Sequence, residues 1–119
     1  MFRKLTDKIY VAPQIECADV GVAAAQGITL IINNRPEDES ADQTSGADIE
    51  AAAKAAGLAY VAIPVTHAGF AEWQVTAMAN ALDAAEGKVL ALEYDDADAV
   101  VTAIVPKKLE HLFQPFLHG

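Results

Sequence analysis

The sequence predicts an α/β fold with a mostly parallel central sheet flanked by helices. The main observation is that Gly27, Gly57 and Gly87 recur thirty residues apart, each after a helix-like segment and before an apolar, β-rich run. A strand and its connecting helix take up roughly thirty residues, and glycine directly after a helix supplies the left-handed conformation of a C-cap. The segments share little else, so the repetition is one of architecture and not of sequence.

The strands are predicted from the apolar runs. The first precedes the glycine series at residues 8–12, and the others follow the glycines at residues 28–33, 58–65 and 88–92. These runs are apolar throughout and do not alternate with polar residues. Such a pattern is typical of parallel strands that are covered on both faces.

Three helices are expected between these strands, and the first, at about residues 16–26, is short and rich in alanine. In the second, Ser45 and Asp48 resemble a capping box, and Glu50 and Lys54 form a favourable i,i+4 pair. The third carries an apolar stripe at helical spacing, formed by Val75, Met78, Ala79 and Leu82.

The chain changes character after the fourth of these strands. Residues 99–105 are β-branched and follow a polar turn, which favours an altered ending that begins with a hairpin strand. Pro106 then starts a short amphipathic helix that ends near Gln114. Apolar residues near the C-terminus, among them Phe113 and Phe116, favour a homodimer contact.

Composition limits the classes of function. The chain has 119 residues, of which 53% are hydrophobic, and this predicts a single domain over residues 1–119. The net charge of −9 argues against nucleic acid as a partner, because phosphate contacts need clustered lysine and arginine. No apolar run is long enough for a membrane span. The single cysteine, Cys17, excludes an internal disulfide, and we expect a cytoplasmic protein.

The fourth strand of this series runs into the most acidic turn of the chain. Ligands of open α/β sheets bind outside the carboxyl ends of the strands, and this strand delivers Glu93, followed by Asp95, Asp96 and Asp98. Carboxylate oxygens are the ligands that Mg²⁺ and Ca²⁺ prefer, so the three aspartates are candidates for a divalent cation site. The spacing matches no EF-hand. The alternative is a solvated hairpin turn.

Three further residues are expected at the same edge of the sheet. Arg35 follows the second strand, where it would hold a small anionic ligand or bond to loop carbonyls. His67 follows the third strand, where it would act as a proton donor or remain an exposed loop residue. Cys17 lies near the start of the first helix, where it would be a reactive thiol or fill a gap.

Several motifs recur here in the order of a known family. They are residues 6–10 (TDKIY), 13–15 (PQI), 27–36 (GITLIINNRP), 56–60 (AGLAY), 63–65 (IPV) and 87–91 (GKVLA). Over residues 1 to about 91, the chain resembles the phosphatase-like domain of bacterial beta-lactamase hydrolase-like proteins. That family looks like the cysteine-dependent, dual-specificity-type phosphatases.

The resemblance also indicates a loss of chemistry. In that family the fourth strand runs into a Cys-Arg-Ser-Gly-Thr-Arg loop, in which the cysteine attacks phosphorus and the final arginine holds the phosphate. Aligned on Val89, Leu90 and Ala91, this chain has Glu93 in place of the cysteine and Asp98 in place of the arginine. The first change removes the nucleophile, and the second repels phosphate. The resemblance implies the fold, and these two departures from the family motif predict a catalytically impaired binding or regulatory module.

Two other interpretations stay open. One is an active hydrolase of changed mechanism that uses Glu93 and His67, with a divalent metal. The other is a rearranged or truncated gene product, since the quoted motifs stop at Ala91.

Overall fold

The computed structural model of this chain describes residues 2–36, 41–64 and 71–93. The elements are, in chain order, β1 (Arg3–Lys4), β2 (Ile9–Ala12), α1 (Cys17–Ala25), β3 (Ile28–Asn33), α2 (Gly46–Ala55), β4 (Ala59–Ala62), α3 (Glu72–Ala84) and β5 (Lys88–Leu92). The strands form one five-stranded sheet in the order β1-β2-β5-β3-β4. All neighbours are parallel except β1, which runs antiparallel to β2. The predicted α/β fold with a mostly parallel sheet is confirmed.

The sheet is covered on both faces. Along β5, Val89 and Ala91 pack in the cluster that contains α3 residues, whereas Leu90 and Leu92 pack in the cluster that contains residues of α1 and α2. Because every second residue meets one face and the rest meet the other, each strand position needs an apolar side chain. This explains why the strands are apolar throughout.

Helices α1 and α2 end as the sequence predicts. Gly27 has φ of 88° and Gly57 has φ of 82°, which is the left-handed region expected of a C-cap glycine. At the start of α2, the Oγ atom of Ser45 accepts a hydrogen bond from the Asp48 N–H at 3.2 Å. The Lys54 Nζ atom lies 3.4 Å from a Glu50 oxygen. The Ser45 half of the predicted capping box and the predicted ion pair are thus present.

The predicted role of Gly87 as a left-handed cap is wrong. Helix α3 ends at Ala84, and Ala85 leaves it in an extended conformation with φ of −69° and ψ of 126°. Gly87 is needed for close packing, because a Cβ atom there would lie 2.8 Å from the Thr29 Cγ2 atom. Its N–H donates to the Thr29 Oγ1 atom at 3.1 Å. A glycine required by packing and one required by a cap look alike in the sequence.

Other sequence-based predictions fall outside the described residues. These are the hairpin strand at 99–105, the helix from Pro106 to Gln114 and the apolar patch near the C-terminus. Among the helices of the described ranges, none is long and apolar enough to cross a membrane.

Substitution by alanine should have opposite effects at a glycine that caps a helix and at a glycine inside one. Gly57→Ala should lower the free energy of unfolding by about 1–2 kcal/mol, because an L-residue is strained in the left-handed region. Gly21→Ala, in the exposed interior of α1 with nothing within 4 Å of the new Cβ, should raise it by about 0.5–1 kcal/mol. Urea denaturation followed by circular dichroism measures both. Equal effects of the two substitutions would contradict the assignment of the cap.

Candidate functional site

The carboxyl ends of β2, β3 and β5 meet at one edge of the sheet. Leu92 pairs with Ala12 on one side and with Asn33 on the other. The ladder continues past these residues, since the Glu93 N–H donates to the Ala12 oxygen at 2.9 Å and the Asn34 N–H donates to the Leu92 oxygen at 2.9 Å. The backbone therefore fixes Glu93 beside the Asn34–Arg35 segment, as the strand-end argument predicts.

Arg35 spans this edge. Its side chain is buried, with 7% of the residue exposed, and its Nη1 atom donates to the Pro13 oxygen at 2.6 Å. Its backbone N–H donates to the Asn33 Oδ1 atom at 3.0 Å. Pro13 follows β2 and Arg35 follows β3, and β5 lies between those two strands. The guanidinium group consequently reaches across the end of β5.

Glu93 is the first residue after β5 and is only 3% exposed. Among the buried residues that the structure describes, Arg35 and Glu93 are the two that carry a charge. Their charges have opposite signs, and they follow neighbouring strands. Buried charges are stable in proteins when they are paired and hydrogen-bonded. Both buried charged residues of the described core therefore lie at this one edge, where each can compensate the other.

Asn34 connects this edge to the neighbouring strand and to α3. It is 1% exposed, and its Nδ2 atom donates to the Ile63 oxygen at 2.9 Å. The same atom lies 3.6 Å from the Met78 sulfur. Asn33 also contributes, because its Nδ2 atom donates to the Tyr60 hydroxyl at 3.1 Å. Neither role is predicted from the sequence, although two asparagines that end an apolar strand are a signal of buried polar contacts.

Gln74 is a third residue whose role is not predicted from the sequence. Its Nε2 atom donates to the Pro64 oxygen at 2.7 Å, and its Oε1 atom accepts a hydrogen bond from the Ala71 N–H. Gln74 thereby joins the two described ends of the connection that contains His67. A glutamine three positions after the N-cap was the available signal, since it is the second half of a capping box.

The other predicted site residues are not brought together by the described part of the chain. Cys17 is exposed at the first position of α1, and its Sγ atom lies 3.7 Å from the Asp48 oxygen. His67, Asp95, Asp96 and Asp98 lie outside the described residues. Within the described ranges, no group of three or more histidine, cysteine or acidic side chains is placed to hold a metal. The cation site therefore stays a prediction.

A separate groove opens at the opposite edge of the sheet. It has a volume of about 610 Å³ and lies between α3 and the starts of β3 and β4. Alanine, valine and leucine side chains make up much of its lining, and among the described residues that line it Glu86 is the acidic one. The groove thus lies at the opposite edge from the buried charges, and its size alone does not indicate a reaction or a ligand. The carboxyl edge is the better candidate site.

Sequence comparison supports the resemblance. The family described as "Beta-lactamase hydrolase-like protein, phosphatase-like domain" matches residues 1–107, which extends past residue 91. A beta-lactamase hydrolase-like protein of Agrobacterium fabrum is 34% identical over 88 residues, covering 74% of this chain and 20% of that protein. One of Xylella fastidiosa is 39% identical over 67 residues, covering 56% of this chain and 16% of that protein. The chain therefore spans a fifth or less of these curated relatives.

Solved structures show the same fold. A crystal structure of a candidate phosphatase from Neisseria meningitidis is similar with a TM-score of 0.67 and 33% identity, covering 75% of this chain and 63% of that one. A candidate phosphatase from Shewanella putrefaciens has a TM-score of 0.72 at 23% identity, covering 92% of this chain and 69% of that one. The second likeness concerns the fold alone.

The buried amide of Asn34 should be important for stability. Asn34→Ala removes the donor to the Ile63 oxygen, so we expect the free energy of unfolding to fall by about 1–3 kcal/mol. Asn80→Ala, at an exposed position of α3, is the matched control and should stay within about 0.5 kcal/mol of the unmodified protein. Chemical denaturation of both variants tests this. A loss at Asn80 as large as that at Asn34 would show that the buried hydrogen bond is not the cause.

Proposed function

Since this chain belongs to the phosphatase-like domain family of beta-lactamase hydrolase-like proteins, we propose that it is a catalytically impaired member of that family. It would serve as a binding or regulatory module and not as a cysteine-dependent phosphatase. Arg35 is the residue that would meet a small anionic ligand. The chain matches only a fifth or less of its curated relatives, so the proposal concerns this domain alone.

One observation carries the proposal, which is the position of Glu93. It is the first residue after the central strand β5, where the resemblance expects the nucleophilic cysteine. It is 3% exposed, and its N–H continues the ladder to Ala12. A carboxylate at this position supplies no thiolate to attack phosphorus, and its negative charge opposes an incoming phosphate.

Two features of the sequence support the same conclusion. Asp98 stands where the resemblance expects the phosphate-binding arginine, and no glycine lies between Glu93 and Asp98. Loops that surround an anion with backbone N–H groups commonly depend on glycine for their conformation. The net charge of −9 adds to the repulsion of phosphate.

The second candidate function is a metal-assisted hydrolase that uses Glu93 and His67. The location of Glu93 at the carboxyl edge of the sheet favours it, because enzymes of this architecture place their reacting groups there. Three aspartates follow Glu93 in the sequence and offer oxygen ligands for a divalent cation. This candidate makes a different prediction for the same assay.

The impaired module should not hydrolyse phosphomonoesters. With p-nitrophenyl phosphate as substrate, release of p-nitrophenol should match the buffer blank, with or without Mg²⁺ or Mn²⁺. Glu93→Gln should behave in the same way, because the carboxylate takes part in no turnover.

The control variant is Glu86→Gln, which neutralises an exposed acid at the opposite edge. Metal-dependent turnover that disappears in Glu93→Gln and persists in Glu86→Gln would overturn the proposal in favour of the metal-assisted hydrolase. A rise in melting temperature with Mg²⁺ and without turnover would indicate that the module binds a cation only.

A further inference from the structure

The two buried charges of the described core lie at one edge of the sheet. Arg35 follows β3, Glu93 follows β5, and the two strands are hydrogen-bonded neighbours. The Arg35 Nη1 atom donates to the Pro13 oxygen at 2.6 Å. Pro13 directly follows β2, which lies on the far side of β5 from Arg35. The guanidinium group therefore passes over the strand end from which the Glu93 side chain emerges.

The chemistry of the two groups is complementary. A guanidinium group presents its N–H donors in a planar fork that matches a carboxylate, and the same fork matches a phosphate. Arg35 and Glu93 are 7% and 3% exposed, so water solvates neither group well. A carboxylate buried to this extent is strongly destabilising unless a cation and hydrogen bonds compensate it. Within the described core, Arg35 is the buried cation.

We propose that the Glu93 carboxylate is a built-in anionic ligand of Arg35 and fills the subsite in which that arginine would otherwise hold a phosphate group. The phosphate could be inorganic phosphate or the terminal group of a phosphomonoester, because the guanidinium fork recognises the chemistry they share. The inference rests on the proposed function in placing Glu93 where the nucleophile would stand. It narrows the role proposed for Arg35: in the unmodified protein the anion that Arg35 holds is the Glu93 carboxylate, and an external phosphate takes its place only when that charge is removed.

Two further hydrogen bonds fix the segment that carries Arg35. Its backbone N–H donates to the Asn33 side chain at 3.0 Å, and the neighbouring Asn34 is fixed by its bond to the Ile63 oxygen at 2.9 Å. Neither contact depends on the charge of Glu93. Arg35 should therefore keep its position when that charge is removed, and an external anion can then take the place of the carboxylate.

The test compares melting temperatures in phosphate and in chloride at equal ionic strength. Glu93→Gln keeps the size of the side chain and removes its charge. Phosphate at tens of millimolar should raise the melting temperature of Glu93→Gln by about 4–8 °C relative to chloride. The unmodified protein should change by less than about 1 °C on the same scale. Phenyl phosphate in a parallel series shows whether a phosphomonoester is also accepted.

Two control variants make the result specific. Arg35→Gln/Glu93→Gln removes both charges and should lose the response to phosphate. Glu86→Gln changes the net charge equally at the opposite edge and should respond no more than the unmodified protein. If Glu93→Gln does not fold in chloride, phosphate must restore its thermal transition.

Four results would overturn the inference. They are an equal phosphate response of Glu93→Gln and the unmodified protein, no response of Glu93→Gln, a response that survives in the double variant, and failure of Glu93→Gln to fold in either salt. Phosphomonoester turnover by the unmodified protein would instead overturn the proposed function. The two failures are therefore distinguishable.

Discussion

The insertion of β5 between β2 and β3 is the constraint on which the rest of the structure depends. Without β5 the sheet would consist of two separate pieces, one formed by β1 and β2 and the other by β3 and β4. This last described strand joins them, and its residues Val89 to Leu92 are at most 3% exposed. Such pairing between distant parts of the chain is entropically costly. The two apolar clusters on either side of β5 supply the compensating stabilisation.

The same insertion positions the candidate site. A residue that follows a central strand is flanked on both sides by the ends of neighbouring strands, and here these are the Pro13 and Asn34–Arg35 segments. Glu93 is enclosed for that reason, and its burial follows from topology more than from its own chemistry. A polar group in such a place must find partners within the protein. The site is thus a consequence of strand order, and the side chain that occupies the end of β5 decides what the site can do.

The sequence predicts those features that depend on neighbouring residues. The strands are recognisable because apolar runs lie between helix-ending glycines, and Arg35 and Glu93 could be placed at one edge because each follows a strand. Strand β1 was missed, since its two residues, Arg3 and Lys4, are exposed and carry no pattern. The role of Asn34 was missed because its partner, Ile63, is 29 residues away along the chain. Gly87 was misassigned because its neighbour in space, Thr29, is 58 residues away along the chain.

The comparison with solved structures shows that this fold persists while most of its side chains change. Similar phosphatase-like folds occur at 23% identity, so the sheet tolerates extensive change of side chains. At the end of β5 the backbone N–H of Glu93 is already engaged by the Ala12 oxygen. Exchange of a thiol for a carboxylate there leaves that ladder bond in place, because the bond involves only backbone atoms. The cost of burying the Glu93 carboxylate depends on Arg35, which lies across the same strand end. Under the proposed function, a single substitution at this position would convert an edge that attracts an external phosphate into one that already contains its anion, without a change of fold.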